Sequence, residues 1–220
     1  MTPVNYEFYE TPQTFTKYLV QAMATIAPIQ GVLFEPSIGS GAIPRGFATA
    51  PAADTSLQRW ITNDLDPRWP ADFHLDARSP ELWTRPGIAA CGGIDWSVSN
   101  PAFTPGIDII DQALKHSRVG VAMHLRASIH EVLKTGIRRT FLAKHLPTGI
   151  LWLPRFAYQR SKATGKWSTD SVCACWVIWL KDQTVPQFIR YAPEWVIDEL
   201  EAETPAYRTR MDALMATRAA

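Results

Sequence analysis

Residues 31–41 read Gly31-Val32-Leu33-Phe34-Glu35-Pro36-Ser37-Ile38-Gly39-Ser40-Gly41, a short apolar run followed by a loop with two glycines. The run predicts a buried strand, and the glycines allow the backbone to come close to a ligand. A dinucleotide fingerprint would need a third glycine at position 44, which is proline, and a phosphate loop would need a lysine, which is absent. The stretch therefore predicts the first strand of an α/β sheet, with a ligand site of another kind at its end.

Helix and strand patterns alternate along the chain beyond this stretch. Helical spacing covers 14–26 and 104–116, and strand-like runs cover 59–63, 73–75, 94–98 and 119–125. Two later runs, 149–154 and 171–180, are joined by a basic loop and predict a hairpin with a long tip. The order predicts a Rossmann-like, doubly wound, mostly parallel sheet with an antiparallel C-terminal hairpin. A short helix over 195–200 and a loose end over the last ten residues complete the prediction.

Composition describes a water-soluble globular chain of 220 residues, with 46% hydrophobic and 20% charged residues. No apolar run reaches the roughly 18 residues of a membrane span, and no secretion signal is evident, so we expect a cytoplasmic protein of a bacterial or phage-infected cell. The three cysteines form no disulfide framework. The five histidines show no metal-ligand spacing, and no metal is predicted.

The net charge of +1 hides an uneven distribution along the chain. Residues 115–166 carry 11 basic side chains and one acid, Glu131, while the segments on either side are net acidic. Such a segment predicts a polyanionic partner, the alternative being a basic surface without one. The candidate phosphate contacts are Arg126, Arg138, Arg139, Arg155, Arg160, Lys162 and Lys166. Phe156 and Tyr158 lie in the same segment and are candidates either for base stacking or for ordinary hairpin packing.

Three acidic residues, Glu35, Asp64 and Asp76, follow the ends of predicted strands. A carboxylate suits a cationic ligand such as S-adenosylmethionine, which carries a sulfonium and an ammonium group. Asp64, 29 residues after Glu35, is placed to accept both ribose hydroxyls, and Asp76 to accept from the adenine amino group. Each residue alone could be a cap or turn residue, but the three in order favour the cofactor interpretation.

A second stretch, Ser99-Asn100-Pro101-Ala102-Phe103, follows the strand predicted over 94–98. It places an amide side chain, a proline and an aromatic ring at the end of a buried strand. Such a group can accept hydrogen bonds from an exocyclic amine and stack on the ring that carries it.

Together these motifs resemble those of the amino-group DNA methyltransferases of the N6-adenine type. Tyr9-Glu10-Thr11-Pro12 is similar to the family's N-terminal cofactor motif, and residues 35–41 and 99–103 are similar to its glycine-loop and catalytic motifs. Their order resembles the gamma class, and the segments around 151–179 resemble small phage or prophage members. The resemblance covers roughly 6–180 and implies a class I methyltransferase fold, S-adenosylmethionine as cofactor, and a flipped adenine in double-stranded DNA.

The resemblance also implies roles for individual residues. Asn100, Pro101 and Phe103 would be catalytic, although the family's usual third-position proline is Ala102 here. The implied cofactor-binding residues are Tyr9, Thr11, Pro12, Glu35, Pro36, Ser37, Gly39, Gly41, Asp64, Leu65, Asp76 and Asn100. The domain would span 1–180, with 126–170 forming DNA-contacting loops and 181–220 a helical extension.

Three alternatives remain open from the sequence. The same chemistry serves an RNA adenine or a protein glutamine, although the basic segment argues against a protein substrate. A non-catalytic nucleic-acid-binding protein on the same scaffold is the third, and Ala102 is the feature that favours it.

Overall fold

A computed structural model describes residues 8–51, 58–102, 106–130, 137–160, 164–167 and 173–219. These ranges form a seven-stranded sheet of order β2-β1-β3-β4-β6-β5-β7. The strands are β1 (Gly31–Glu35), β2 (Gln58–Thr62), β3 (Ile94–Ser99), β4 (Ser117–Arg126), β5 (Gly149–Trp152), β6 (Ala174–Leu180) and β7 (Phe188–Tyr191). The helices are α1 (Gln13–Met23), α2 (Ala42–Ala48), α3 (Pro80–Trp83), α4 (Pro86–Ala90), α5 (Gly106–His116), α6 (Ile137–Lys144) and α7 (Glu194–Ala219).

The first four strands of the sheet are parallel, and β6 then runs antiparallel to both β4 and β5. This arrangement confirms the predicted mostly parallel sheet and its antiparallel hairpin. The predicted strand over 73–75 is wrong, because only a single bridge joins Asn63 to Phe73. The short strand β7, parallel to β5 at the sheet edge, was not predicted.

Helices cover both faces of the sheet and enclose two cores. Apolar side chains of α1, α2 and α7 pack on one face, against residues such as Trp96 and Trp176. Apolar side chains of α3, α4, α5 and α6 pack on the other, against residues such as Val121 and Val177. In α1 the helical spacing of Phe15, Leu19, Ala22 and Met23 explains which side is buried.

The C-terminal segment 181–219 contains more regular structure than the sequence indicated. Helix α7 runs for 26 residues to Ala219, so the prediction that the last ten residues are loose is wrong. Val196, Leu200, Tyr207 and Met211 of α7 are buried in the same core as α1. None of the helices in the described ranges is long and apolar enough to cross a membrane.

Candidate functional site

A cleft of about 420 Å³ opens at the carboxyl ends of β1, β2 and β3. Strand β1 has β2 on one side and β3 on the other, so this edge is the point where the strand order reverses. Ligands of open α/β sheets bind at such a point. The cleft is lined by 8–11 before α1, 36–40 and 42–43 after β1, 63–66 after β2, and Asn100 with Ala102 after β3. Trp69, residues 75–78, and Asp108 and Ile109 of α5 complete its lining.

The glycine loop after β1 has the backbone that its sequence predicts. Gly39 and Gly41 have φ angles of +51° and +77°, in the left-handed region that favours glycine. A Cβ at Gly39 would also lie 2.9 Å from the ring of Phe8. The amide of Ile38 donates to the carbonyl of Asn63 at 2.9 Å, which fixes the loop against the end of β2.

Asp64 and Asp76 both lie in the cleft, as predicted. Asp64 accepts from the amides of Gly39 at 2.7 Å and Asp66 at 2.8 Å, one at each carboxylate oxygen. Each oxygen has a second lone pair, so Asp64 can still accept from a ligand. Asp76 forms a two-point ion pair with Arg78, at 3.0 and 2.6 Å, and that pairing lowers the pKa of Asp76.

Glu35 takes a different position from the one predicted. Its side chain is buried, and it is not among the residues that line the cleft. Within the described ranges neither carboxyl oxygen has a hydrogen-bond partner of good geometry. Burial raises the pKa of Glu35 well above its usual value, and the nearby Ser99 hydroxyl and Ser37 amide oppose that rise only in part.

Asn100 is held with one side of its amide in protein contacts and the other side unengaged. Its Nδ2 donates to the carbonyl of Tyr9 at 2.7 Å and to Oγ1 of Thr11 at 3.1 Å. A carbonyl can only accept, so the amino group of Asn100 must face Tyr9. No donor to Oδ1 exists among the residues described, and Asn100 lines the cleft. Asn100 therefore presents an oriented acceptor at the end of β3 that no donor of the described residues uses.

The segment 9–12 lies against Asn100 of the predicted catalytic motif, as these contacts show. Pro12 comes directly before α1. Pro36, Ser37 and Leu65 line the cleft, and Leu65 is exposed at the rim of the cleft. Pro101 is buried beside Asn100. Phe103, the third predicted catalytic residue, lies outside the described residues.

Several residues of the cleft were missed by sequence reasoning. Phe8 and Trp69 stack at 4.9 Å between ring centroids and form one wall. Glu10, buried within its motif, contacts Ser40 and Arg210. Trp69 sits in an irregular loop without periodicity, and the partner of Glu10 lies 200 residues away, so no local pattern could have found either.

The predicted nucleic-acid contacts fall into different groups. The guanidinium of Arg126, at the end of β4, lies 5.9 Å from the ring centroid of Tyr9 beside the cleft. Arg155 and Lys166 are exposed. Arg160 forms two 2.8 Å contacts with Asp212 of α7. Lys162 lies outside the described residues, and of Arg138 and Arg139 only the helical backbone is described.

Phe156 and Tyr158 are core residues, which favours hairpin packing over the stacking alternative. Each is less than 10% exposed, and the two rings meet edge-to-face at 5.4 Å. Phe156 also packs on Tyr207 at 4.8 Å, and the Tyr158 hydroxyl lies 3.1 Å from Nε2 of His124. Burial lowers the pKa of His124 to about 3, so this histidine is neutral and structural.

Comparison with solved structures identifies the fold. The chain is similar to a type I restriction-modification system methyltransferase subunit from Streptococcus thermophilus, with 13% identity and a TM-score of 0.56 over 91% of this chain and 53% of that one. It is also similar to a protein from Listeria monocytogenes assigned to the class I S-adenosylmethionine-dependent methyltransferases, with 12% identity and a TM-score of 0.58 over 94% of this chain and 74% of that one. The chain thus spans about half the length of the Streptococcus subunit.

No protein-family model matches the sequence, and comparison with curated proteins finds no match. The structural likeness shows that the chain has the fold of the class I S-adenosylmethionine-dependent methyltransferases, as its motifs predicted.

Proposed function

We propose that this protein transfers a methyl group from S-adenosylmethionine to the N6 amino group of adenine in double-stranded DNA, after the base has been flipped out of the duplex. The orientation of Asn100 carries the proposal. Its amide nitrogen is used by Tyr9 and Thr11, so its oxygen is offered to the cleft as a hydrogen-bond acceptor. The fold and the restriction-modification neighbour support the class of reaction.

The carboxylates and the glycine loop of the cleft fit S-adenosylmethionine. Asp64, at the end of β2, would accept from the ribose hydroxyls, and Asp76 from the adenine amino group. The left-handed glycines bring the backbone of the loop close to the ligand. When bound, the cofactor supplies an electrophilic methyl group on a sulfonium.

Asn100 and Pro101 would prepare the amine. The nitrogen of an exocyclic amine is a weak nucleophile because its lone pair is delocalised into the ring. Oδ1 of Asn100 and the carbonyl of Pro101 would accept its two hydrogens and favour a tetrahedral nitrogen. The same acceptors would stabilise the positive charge that develops on nitrogen, and water would take the released proton. Correct placement of the reacting atoms supplies the rest of the acceleration.

The basic segment supports a nucleic acid as the substrate. Arg126 places a positive charge beside Tyr9 at the cleft, and Arg155 and Lys166 lie exposed on the following loops. Flipping a base out of a duplex costs a few kcal/mol, which stacking of roughly 1–3 kcal/mol per base offsets in part. Phe103, by its motif, is the proposed stacking ring.

Transfer of a tritiated methyl group from S-adenosylmethionine tests this function. Unmethylated double-stranded DNA, RNA of the same sequence and a glutamine-containing peptide serve as parallel acceptors, with Asn100→Ala beside the wild type. We expect the wild type to transfer the labelled methyl group to DNA and Asn100→Ala to transfer none. Label only in RNA or peptide would overturn the DNA assignment, and equal labelling by Asn100→Ala would overturn the role of Asn100.

A further inference from the structure

Glu10 lies between the glycine loop and the C-terminal helix. Its side chain has no exposed surface. One carboxylate oxygen, Oε2, accepts from the hydroxyl of Ser40 in the glycine loop. The other, Oε1, accepts from Nε of Arg210 at 2.6 Å, and Nη2 of Arg210 lies 2.5 Å from the same oxygen. The carboxylate therefore links α7 directly to the loop that lines the cleft.

Two cations of the described residues lie near this buried charge, and Arg210 is the closer of them. Arg45 of α2 approaches Oε2 only to 3.6 Å, and its own side chain is 44% exposed. Arg210 is 32% exposed and makes the short contact. A buried carboxylate that loses its paired cation is strongly destabilised, so Glu10 depends on Arg210 for its buried position.

Helix α7 also holds the backbone of Glu10 and of the residues that follow it. The hydroxyl of Tyr207 donates to the carbonyl of Glu10 at 2.8 Å. The carboxylate of Glu203 accepts from the amides of Gln13 and Thr14 at 2.9 and 3.0 Å, where α1 begins without a side-chain cap of its own. Segment 10–14 is thereby fixed to one face of α7.

Segment 10–14 adjoins the two groups that orient Asn100. Tyr9 supplies the carbonyl and Thr11 the hydroxyl that take the amino hydrogens of Asn100, and both flank Glu10 in sequence. A shift of Glu10 would move these acceptors and the glycine loop together.

We propose that Arg210 is a positioning residue for the cofactor cleft. It holds Glu10 in place, and Glu10 in turn fixes the glycine loop through Ser40 and the amide of Asn100 through the adjoining Tyr9 and Thr11. As a statement about cofactor binding, the inference rests on the proposed function. As a statement about the glycine loop, it can be tested without any ligand.

Arg210→Gln tests the inference, with Arg208→Gln as the matched control. Arg208 lies two residues away on α7 and over the ring of Trp167 at 5.5 Å, so its replacement removes the same charge from another contact. Two quantities are measured. The first is the Kd of S-adenosylhomocysteine by calorimetry. The second is hydrogen exchange at the amides of Ile38, Gly39 and Gly41, each of which donates a hydrogen bond within the cleft.

We expect Arg210→Gln to weaken the ligand by about 10-fold or more, the loss that follows from one charge-assisted hydrogen bond, and to speed exchange in the loop. Arg208→Gln should change neither quantity appreciably. Arg210→Lys should recover part of the affinity, and Glu10→Gln combined with Arg210→Gln should be less impaired than Arg210→Gln alone, because no unpaired charge remains. If Arg210→Gln fails to fold, Arg210→Lys and the double variant still test the inference.

Equal effects of Arg210→Gln and Arg208→Gln on both quantities would overturn the inference. The inference would also be overturned if Arg210→Lys weakened ligand binding as much as Arg210→Gln while hydrogen exchange in the glycine loop stayed unchanged. Absence of ligand binding by the wild type would instead overturn the proposed function, and the exchange measurement would still decide whether Arg210 fixes the loop.

Discussion

The chemistry proposed for this protein depends on which way one amide points. The oxygen and the amino group of the Asn100 side-chain amide are nearly equal in shape. The carbonyl of Tyr9 can only accept a hydrogen bond, so the amino group must lie on its side. The hydroxyl of Thr11 takes the second amino hydrogen. Both partners come from a segment about 90 residues upstream, so the acceptor at the end of β3 is oriented by the N-terminal motif.

Replacing Thr11 should affect turnover more than cofactor binding. Thr11→Val keeps the shape of the side chain but removes the acceptor, and a typical hydrogen bond contributes about 1 kcal/mol. We expect kcat to fall by about 5- to 10-fold, with the Kd of S-adenosylmethionine changed little. Steady-state kinetics and calorimetry measure the two effects. Thr11→Ser keeps the hydroxyl and should retain most of kcat; a similar loss in both variants would contradict the orienting role.

The buried carboxyl of Glu35 should make stability depend on pH. Its raised pKa in the folded state means that the folded protein holds the proton more tightly than the unfolded chain. This contribution to stability is complete below about pH 4.5, the ordinary value, and is lost as the pH rises through the folded-state pKa. Glu35→Gln is neutral at every pH and does not lose stability in this way.

Thermal unfolding of wild type and Glu35→Gln from pH 4 to pH 9 measures this dependence. We expect the Tm of the variant to exceed that of the wild type increasingly as the pH rises, and the two to converge at the acidic end. A difference in Tm that is constant over the whole range would show that ionisation of Glu35 is not its cause.

Sequence reasoning located the residues of the cleft better than their roles. Asp64 and Asn100 lie in the cleft as predicted, because the carboxyl ends of parallel strands meet at one edge. Asp76 also lies there, although the strand predicted before it is only a single bridge between Asn63 and Phe73. The cofactor-binding role of Glu35 stays a prediction. Its burial was not predicted, because that burial depends on packing that no local pattern reveals. Arg210 was missed because nothing near it in sequence indicates a buried carboxylate 200 residues away.

The central strands of the sheet pack closely because small residues face large ones. Gly120 of β4 is the register partner of Trp96 of β3. A Cβ at Gly120 would lie 2.5 to 2.9 Å from three carbon atoms of the Trp96 ring. Trp96 is fully buried, so its ring has little room to move. Position 120 therefore admits no side chain without a shift between β3 and β4.

Gly120→Ala should destabilise the sheet, whereas Gly106→Ala should not. Overpacking of a filled core typically costs about 1–3 kcal/mol, and we expect the free energy of unfolding to fall by that amount in Gly120→Ala. Gly106 opens α5, and a Cβ at that position would meet nothing within 4 Å among the residues that the structure describes. Alanine also favours a helix, so this replacement should leave stability unchanged or higher. Urea titration measures both; equal stabilities would contradict the close contact.

Elements with strong periodicity were predicted, and those set by tertiary contacts were not. The strands β1, β3, β4 and β6 and the helix α1 follow from apolar runs and helical spacing. Strand β7 has only four residues and pairs at the edge, where exposure of Ile189 and Tyr191 leaves no alternating pattern to recognise. The last turns of α7 are held by contacts such as that of Met211 with the core, which the local sequence does not indicate.

The whole molecule separates its charges along the chain. The acidic N-terminal half contributes the carboxylates of the cleft, Asp64 and Asp76, while residues 115–166 contribute the basic side chains. Such a division fits a protein that binds a cationic cofactor in a cleft and a polyanion beside it.

Removal of exposed basic residues of the segment 115–166 should reduce the salt dependence of DNA binding. Each phosphate contact contributes about −0.9 to the slope of log K against log salt concentration. We expect Arg155→Ala and Lys166→Ala to weaken binding to all sequences and each to make the slope less steep by about one unit at most. Lys115→Ala is the control, because Lys115 pairs with Asp111 in α5, just before the amino end of β4 and away from the cleft. Equal slopes in all three variants and the wild type would contradict the assignment.

The product of the reaction tests the central claim most directly. Unmethylated double-stranded DNA is incubated with S-adenosylmethionine and either wild type or Asn100→Ala, then digested to nucleosides and analysed by mass spectrometry. The account predicts N6-methyladenine in the wild-type sample and none above background with Asn100→Ala. A wild-type sample without N6-methyladenine, or an equal yield from Asn100→Ala, would contradict it.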